Sequence, residues 1–404
     1  MIKKLFSIII LFFIVCSFAF EEAFPDVTPL VYDITGDGHK EIIFGYKNGL
    51  LRLFDSNGEE IITGLWPRHL AGAVQEEVKV FDNGIKKSIV VSTYNGKVYS
   101  IDTDGKMNWR YDSFSENEFF LCAPTVDASE NSIYFASTRG EVHSLDVDGN
   151  VKWRFPAPDL VSAPIILTDL NGNGNREIVF KTDSGTVYAF DNNFKPVQGW
   201  PIYIEEAVNT SMPYPMTIKD IDSNGYNEII MATNEFKGKY TIYTINHDGT
   251  VNSKFTSDTK VYEKILLIDI DNDGVDDVVY FGLDGYIYAR DVKGKMFPGF
   301  PHYGGKEIRG GLKLIDVNGD GKAEIVAVVT DDFNNYKTIF INSDGNQIKE
   351  PYHLGKIDTN ITFADVDGNG VLEIVCIVEN KLNIVETDIT VPIIIEVLGV
   401  EYEY

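Results

Sequence analysis

Residues 269–280 read Asp269-Ile270-Asp271-Asn272-Asp273-Gly274-Val275-Asp276-Asp277-Val278-Val279-Tyr280: acids at alternate positions, a glycine at the sixth, a closing acid at the ninth, then an apolar, β-branched run. The same pattern, Asp-x-(Asn/Asp/Thr)-x-(Asn/Asp)-Gly-x-x-(Asp/Glu), begins again at Asp33, Asp169, Asp220, Asp316 and Asp365. Successive starts along the chain are 136, 51, 49, 47 and 49 residues apart, so the first gap is three ordinary gaps long. Two degenerate copies fill it, Val80-Phe81-Asp82-Asn83-Gly84 and Thr125-Val126-Asp127-Ala128-Ser129. The chain is thus eight units with a period of roughly 40 to 50 residues, which signals a stacked or radial repeat.

The loops are built to collect oxygen. Calcium takes about six to eight oxygen ligands from carboxylates, amides, backbone carbonyls and water. In the copy at 269–277, Asp269, Asp271 and Asp273 offer side-chain oxygens, Val275 its carbonyl, and Asp277 closes the shell, while Gly274 lets the chain double back. The other copies offer Asp33, Thr35, Asp37, His39 and Glu41; Asp169, Asn171, Asn173, Asn175 and Glu177; Asp220, Asp222, Asn224, Tyr226 and Glu228; Asp316, Asn318, Asp320, Lys322 and Glu324; and Asp365, Asp367, Asn369, Val371 and Glu373. The seventh position of each acts through its carbonyl. The expectation is up to six Ca²⁺, tightest at Asp269 with four carboxylates and weakest at Asp169 with two. An EF-hand is excluded because its twelfth position must be a bidentate Glu, and here it reads Phe44, Phe180, Met231, Tyr280, Ala327 and Cys376. The apolar runs that follow suit buried strands.

A second family of turns, Asn57-Gly58, Asp104-Gly105, Asp148-Gly149, Asp248-Gly249, Lys293-Gly294 and Asp344-Gly345, lies about 20 residues further on without a spaced acidic set and reads as hairpins. Each unit therefore reads as four short strands, and four antiparallel strands per repeat make a propeller blade. Aromatic residues close the units at Trp66, Trp109, Trp153, Trp200 and Phe300, placed to wedge between blades rather than to stack on a ligand. The expected fold is an all-β propeller of eight four-stranded blades, with seven as the alternative.

Over residues 28–388 these units resemble FG-GAP/VCBS-type repeats, the kind found in integrin alpha-subunit propellers and many secreted bacterial proteins. The resemblance implies calcium between the first two strands of a blade. Units two and three depart from it: Asp102-Thr-Asp-Gly-Lys-Met-Asn-Trp109-Arg and Asp146-Val-Asp-Gly-Asn-Val-Lys-Trp153-Arg look like PQQ-like propeller repeats, so those blades are expected to be metal-free.

Residues 1–19 combine Lys3 and Lys4, an apolar core from Leu5 to Val15 and a small-residue site at Ser17-Phe18-Ala19, the composition of a cleaved secretory signal and too short to span a bilayer. Cys16 would suit a lipoprotein, but the residue before it, Val15, is not small. The propeller is expected over 20–390, with 391–404 a last strand or closure segment. Cys122 and Cys376 fall in core strands of non-neighbouring units and are expected as free buried thiols. Formal charge is −26, which argues against nucleic acid and anionic membrane and leaves a protein or glycan partner. Such a partner would use the face opposite the acidic loops, around Trp66-Pro67-Arg68-His69, residues 203–214, Glu235-Phe236-Lys237 and residues 331–336. The six histidines fall at inequivalent positions, and no Gly-x-Ser-x-Gly, His-Glu-x-x-His or phosphate-binding loop occurs, so no catalytic residues are assigned. The sequence favours a secreted, calcium-binding, non-catalytic binding or adhesion propeller. The alternatives are a calcium-dependent polysaccharide lyase or hydrolase, which needs a basic cluster in the central funnel, and an envelope assembly scaffold.

Overall fold

The apolar run after each acidic loop does not alternate with polar residues because the strand it forms is buried on both sides. Ile42 packs towards the last blade and Ile43 towards the second; Val278 and Val279 likewise face blades five and seven. Successive side chains on a strand point to opposite faces, so both faces must be apolar when a neighbouring sheet covers each.

The computed structural model describes residues 27–74, 76–113, 118–204, 216–234, 240–331 and 333–391. Their strands form eight antiparallel sheets in which consecutive strands pair in chain order, over 30–69, 79–112, 125–156, 166–203, 217–257, 261–303, 308–355 and 362–390. Seven sheets have four strands and the eighth has three among the described residues. No helix occurs among them. This is an eight-bladed β-propeller, so the seven-bladed alternative falls away. The expected closure segment 391–404 lies outside the described residues except for Val391, and so does the whole of the expected signal at 1–19.

The core is a ring of interfaces rather than a single centre. Every hydrophobic cluster draws on two neighbouring blades, and together the clusters cover all eight boundaries. Strand contacts between blades run through the first strands, which are therefore innermost. Threonines on these strands clasp the next blade: Thr125 Oγ1 donates to the Ile165 carbonyl at 2.6 Å and Thr217 Oγ1 to Ile265 at 2.5 Å. The same clasp closes the ring, where Thr362 Oγ1 donates to the Pro29 carbonyl. Beside it, the Asn360 amide donates to Val27 O at 3.0 Å. No strand is exchanged across that seam among the described residues.

The aromatic closers act as the sequence implies. Trp66 Nε1 donates to Thr103 O at 2.8 Å, Trp109 to Val147 O at 2.8 Å and Trp200 to His247 O at 2.9 Å, each reaching the third-to-fourth hairpin of the following blade. Trp153 instead stacks on Phe194 of the next blade, centroids 5.0 Å apart. The hairpin glycines make room for these rings: a Cβ on Gly149 would lie 2.8 Å from the Trp109 indole. Cys122 and Cys376 are free and buried.

Candidate metal centres on one face

Each acidic loop joins the first and second strands of its blade, on the same face as the third-to-fourth hairpins. All six hold one backbone shape. The sixth-position glycines Gly38, Gly174, Gly225, Gly274, Gly321 and Gly370 have φ between 84° and 90°, a region open to glycine. Their amides donate to Oδ2 of the first aspartate, at 3.1 Å for Asp33, 2.7 Å for Asp169, 2.8 Å for Asp220, 2.9 Å for Asp269, 2.8 Å for Asp316 and 3.1 Å for Asp365. The fifth-position side chain accepts from the seventh amide, as in Val275 N to Asp273 Oδ1 at 2.8 Å and Lys322 N to Asp320 Oδ1 at 2.9 Å. His39, Asn175, Tyr226 and Val371 donate in the same way to Asp37, Asn173, Asn224 and Asn369. One oxygen of each buried closing acid takes the amide of the second residue: Glu41 from Ile34, Glu177 from Leu170, Glu228 from Ile221, Asp277 from Ile270, Glu324 from Val317 and Glu373 from Val366.

The third position divides the six loops into two classes. Thr35 Oγ1 donates to Glu41 Oε1 at 3.1 Å, Asn171 Nδ2 to Glu177 Oε1 at 3.0 Å and Asn318 Nδ2 to Glu324 Oε1 at 2.9 Å, so blades one, four and seven satisfy the second oxygen of the closing acid internally. Asp222, Asp271 and Asp367 are carboxylates and have no proton to give. In those blades, five, six and eight, carboxylate oxygens converge within 4.8 Å of one another: Asp220 with Asp222 and Glu228, Asp269 with Asp271 and Asp273, and Asp365 with Asp367 and Glu373. Burial, reinforced by the neighbouring aspartates, pushes Glu228 and Asp277 up to about 7. Burial raises Glu373 likewise, with Asp367 and Asp365 adding to it, and also raises Glu177 and Glu324 in blades four and seven, so the converging oxygens rather than this shift set blades five, six and eight apart. Asp365 Oδ1 is buried without a hydrogen-bond partner. A hard cation suits this donor set: it would satisfy the orphan oxygen and remove the repulsion together. The residues present therefore fit calcium, best in blades five, six and eight.

Blades two and three use cations of their own. Lys87 Nζ lies 3.3 Å from Asp82 Oδ2 and donates to the Asp33 carbonyl at 2.7 Å. Burial works to raise Asp82, but the Gly84 amide and Lys87 hold it below the ordinary aspartate value. In blade three the Arg176 guanidinium, from the loop of blade four, reaches Asp127 Oδ1 at 2.9 Å and Ser129 Oγ at 2.6 Å. An ammonium and a guanidinium thus stand at the aspartates where a metal would bind. Side chains before the closing acid also tie neighbouring loops together, as Asn227 Nδ2 does with the Asp169 carbonyl at 2.6 Å and Asp276 with Lys219 at 2.9 Å.

The expected partner surface is only partly in view, and Trp66 does not belong to it, since its indole sits on the third-to-fourth hairpin of blade two, on the face of the acidic loops. Residues 205–215, 235–239 and 332 lie outside the described residues, and most of that surface with them. On the same face as those loops Tyr203 and Phe333 are exposed, Phe333 to 81%. None of the six histidines lies on a first strand. His143 is buried beside Glu118, with Nε2 to Oε1 at 3.9 Å, too far for a hydrogen bond, and neither atom has a partner.

Residues 316–376 match the family model of the FG-GAP-like repeat, and residues 47–193 match the PQQ-type model described as outer membrane protein assembly factor BamB. The second match is wider than the two blades whose sequence resembles PQQ-like repeats, and includes the acidic loop at 169–177. The chain thus carries FG-GAP-like and BamB-like stretches in one ring. No curated protein matches it. Among solved structures, the Dos1 propeller is similar at 13% identity over 93% of this chain and 96% of that one, with a TM-score of 0.61. Sqt1 of Saccharomyces cerevisiae is similar at 13% identity over 90% and 99%, with a TM-score of 0.58. At such identities the likeness is one of fold.

Proposed function

We propose that this protein is an exported, calcium-stabilised propeller that binds a protein or glycan partner, in adhesion or an allied role, and catalyses nothing itself. The observation that carries the metal reading is the carboxylate trio in each of blades five, six and eight, with the buried, partnerless Asp365 Oδ1 among them. The apolar leader at residues 1–19 supports export. The dispersal of the histidines away from the inner strands supports binding over catalysis. A strongly acidic surface, −26 in formal charge, supports a partner that is neither nucleic acid nor anionic lipid.

Calorimetric titration of the metal-stripped protein with Ca²⁺ tests the metal reading. Asp271→Ala is expected to abolish one tight equivalent and Asp104→Ala none; equal losses, or no saturable binding in the parent, would overturn it. A glycan array probed with and without EDTA then tests whether the partner is a sugar bound in a calcium-dependent way.

A second reading, an envelope assembly scaffold, draws support from the BamB-type match over residues 47–193. Crosslinking in the intact envelope separates the two: a scaffold would be joined to neighbouring envelope proteins, whereas an adhesion module would be joined to an external ligand.

A further inference from the structure

Three lysines on the innermost strands of different blades lie near enough to act on one another's charge. Lys79 opens the first strand of blade two (Lys79–Asp82), Lys264 lies in that of blade six (Val261–Ile268) and Lys313 in that of blade seven (Ile308–Ile315). First strands are innermost, and blades two and six stand opposite each other in an eight-membered ring, so these side chains approach the axis from both sides. The two long strands are bulged at matching places: pairing with the second strand skips from Tyr262 to Leu266 in one and from Arg309 to Lys313 in the other. The bulges hold Glu263 at φ 72°, Gly310 at 69° and Gly311 at 68°. A glutamate in the left-handed region is strain that an unbroken strand would not carry, and bulges serve to re-aim side chains. The two bulges meet, since a Cβ on Gly311 would lie 3.7 Å from Glu263 Cβ.

The charges there do not cancel in pairs. Lys79 is ion-paired with Glu77. No hydrogen bond or ion pair holds Lys264 or Lys313 among the described residues, although both are only partly exposed. An ammonium shut in by protein without a direct hydrogen-bonded partner is costly. Burial, then Lys79 and Lys313, pushes Lys264 down to about 8. Burial also lowers Lys313, against the pull of Glu77 and Glu263. The three lysines and two glutamates thus sense one another across the axis.

We propose that the inner strands bind an oxyanion at the ring's centre, the carboxylate or the sulfate or phosphate group of a ligand, held by Lys264 and Lys313 with Lys79 beside them. Ammonium groups are compact point charges with three donors each, suited to such oxygens without the fixed fork of arginine. The site is proposed for binding, and no catalytic step is assigned to it. It is separate from the acidic loops and stands or falls independently of calcium.

The test is calorimetric titration of the full chain, in calcium-containing buffer, with sodium sulfate and with sodium succinate. Saturable one-to-one heat from either probe, weakened roughly tenfold or more in both Lys264→Gln and Lys313→Gln, is the expected result. Sulfate alone would mark a tetrahedral anion as the natural group, succinate alone a carboxylate, and both a site open to either. Absence of saturable heat from both probes in the unmodified chain overturns the proposal, as does binding that survives both substitutions. Should the variants fail to fold by circular dichroism, the unmodified chain is titrated well above pH 8, where binding must weaken as Lys264 loses its proton; undiminished binding there also overturns it.

Discussion

At the scale of single residues, the third position of the acidic loop decides more than the sequence pattern alone conveys. Asn and Asp are interchangeable in the motif because both offer oxygen. The structure separates them because only Asn or Thr can also donate, and that proton goes to the closing acid. Asp367→Asn, whose carboxylate lies in one trio with the closing Glu373, should therefore weaken calcium binding in blade eight while raising stability in EDTA by about 1 kcal/mol, the worth of one new hydrogen bond; chemical denaturation with and without EDTA measures both signs. His143 gives a second prediction. Burial, with Arg154 adding to it, lowers His143 to about 4. The unfolded chain takes up the proton below about pH 6.5 and the folded one only near 4, so stability is full above 6.5 and falls by about 3 kcal/mol as pH drops through that window. Subtracting the pH–stability curve of His143→Gln should isolate this decline; parallel curves would refute it. Neither the His143–Glu118 contact nor the axial lysines could be read from the sequence, because each joins residues that only blade packing brings together.

At the scale of the element, what was legible was whatever a strand must advertise locally. The buried second strands announced themselves as unbroken apolar runs, and the hairpins by their Asp-Gly and Asn-Gly turns. Fourth strands were legible only through their aromatic closers. Arg68–His69, Ile202–Tyr203 and His302–Tyr303 are two residues long and pair on one side only, so no periodicity can mark them. The closers depend on the backbone they press against, which leads to a controlled comparison. Gly174 has φ 84° and open space where a methyl would be added, with nothing within 4 Å, whereas Gly299 has the same φ and its Cβ would meet the Asp344 carbonyl oxygen at 1.9 Å. Gly174→Ala should cost about 1–2 kcal/mol from the left-handed backbone alone. Gly299→Ala should cost at least twice as much, because the hairpin of blade seven must move as well; equal midpoints in urea would show that this hairpin yields freely.

At the scale of the whole molecule, the number of blades followed from counting loops, including the two that had lost their ligands. Why those two could lose them was not legible, since Arg176 serves a blade other than its own. Metal bound only by the folded state stabilises it by mass action, about 2.7 kcal/mol per site at a hundredfold excess over Kd. EDTA should accordingly lower the melting temperature, and an unchanged melt would count against calcium. Hydrogen exchange offers a finer reading: in EDTA, amides of the loops in blades five, six and eight should exchange faster, while those in blades two and three keep their protection. Lys87 and Arg176 give this pattern a mechanical meaning. A disc clamped along one rim by side chains it always carries, and along the other by the proposed ion, would respond to scarcity lopsidedly, slackening on one edge while the opposite edge stays taut.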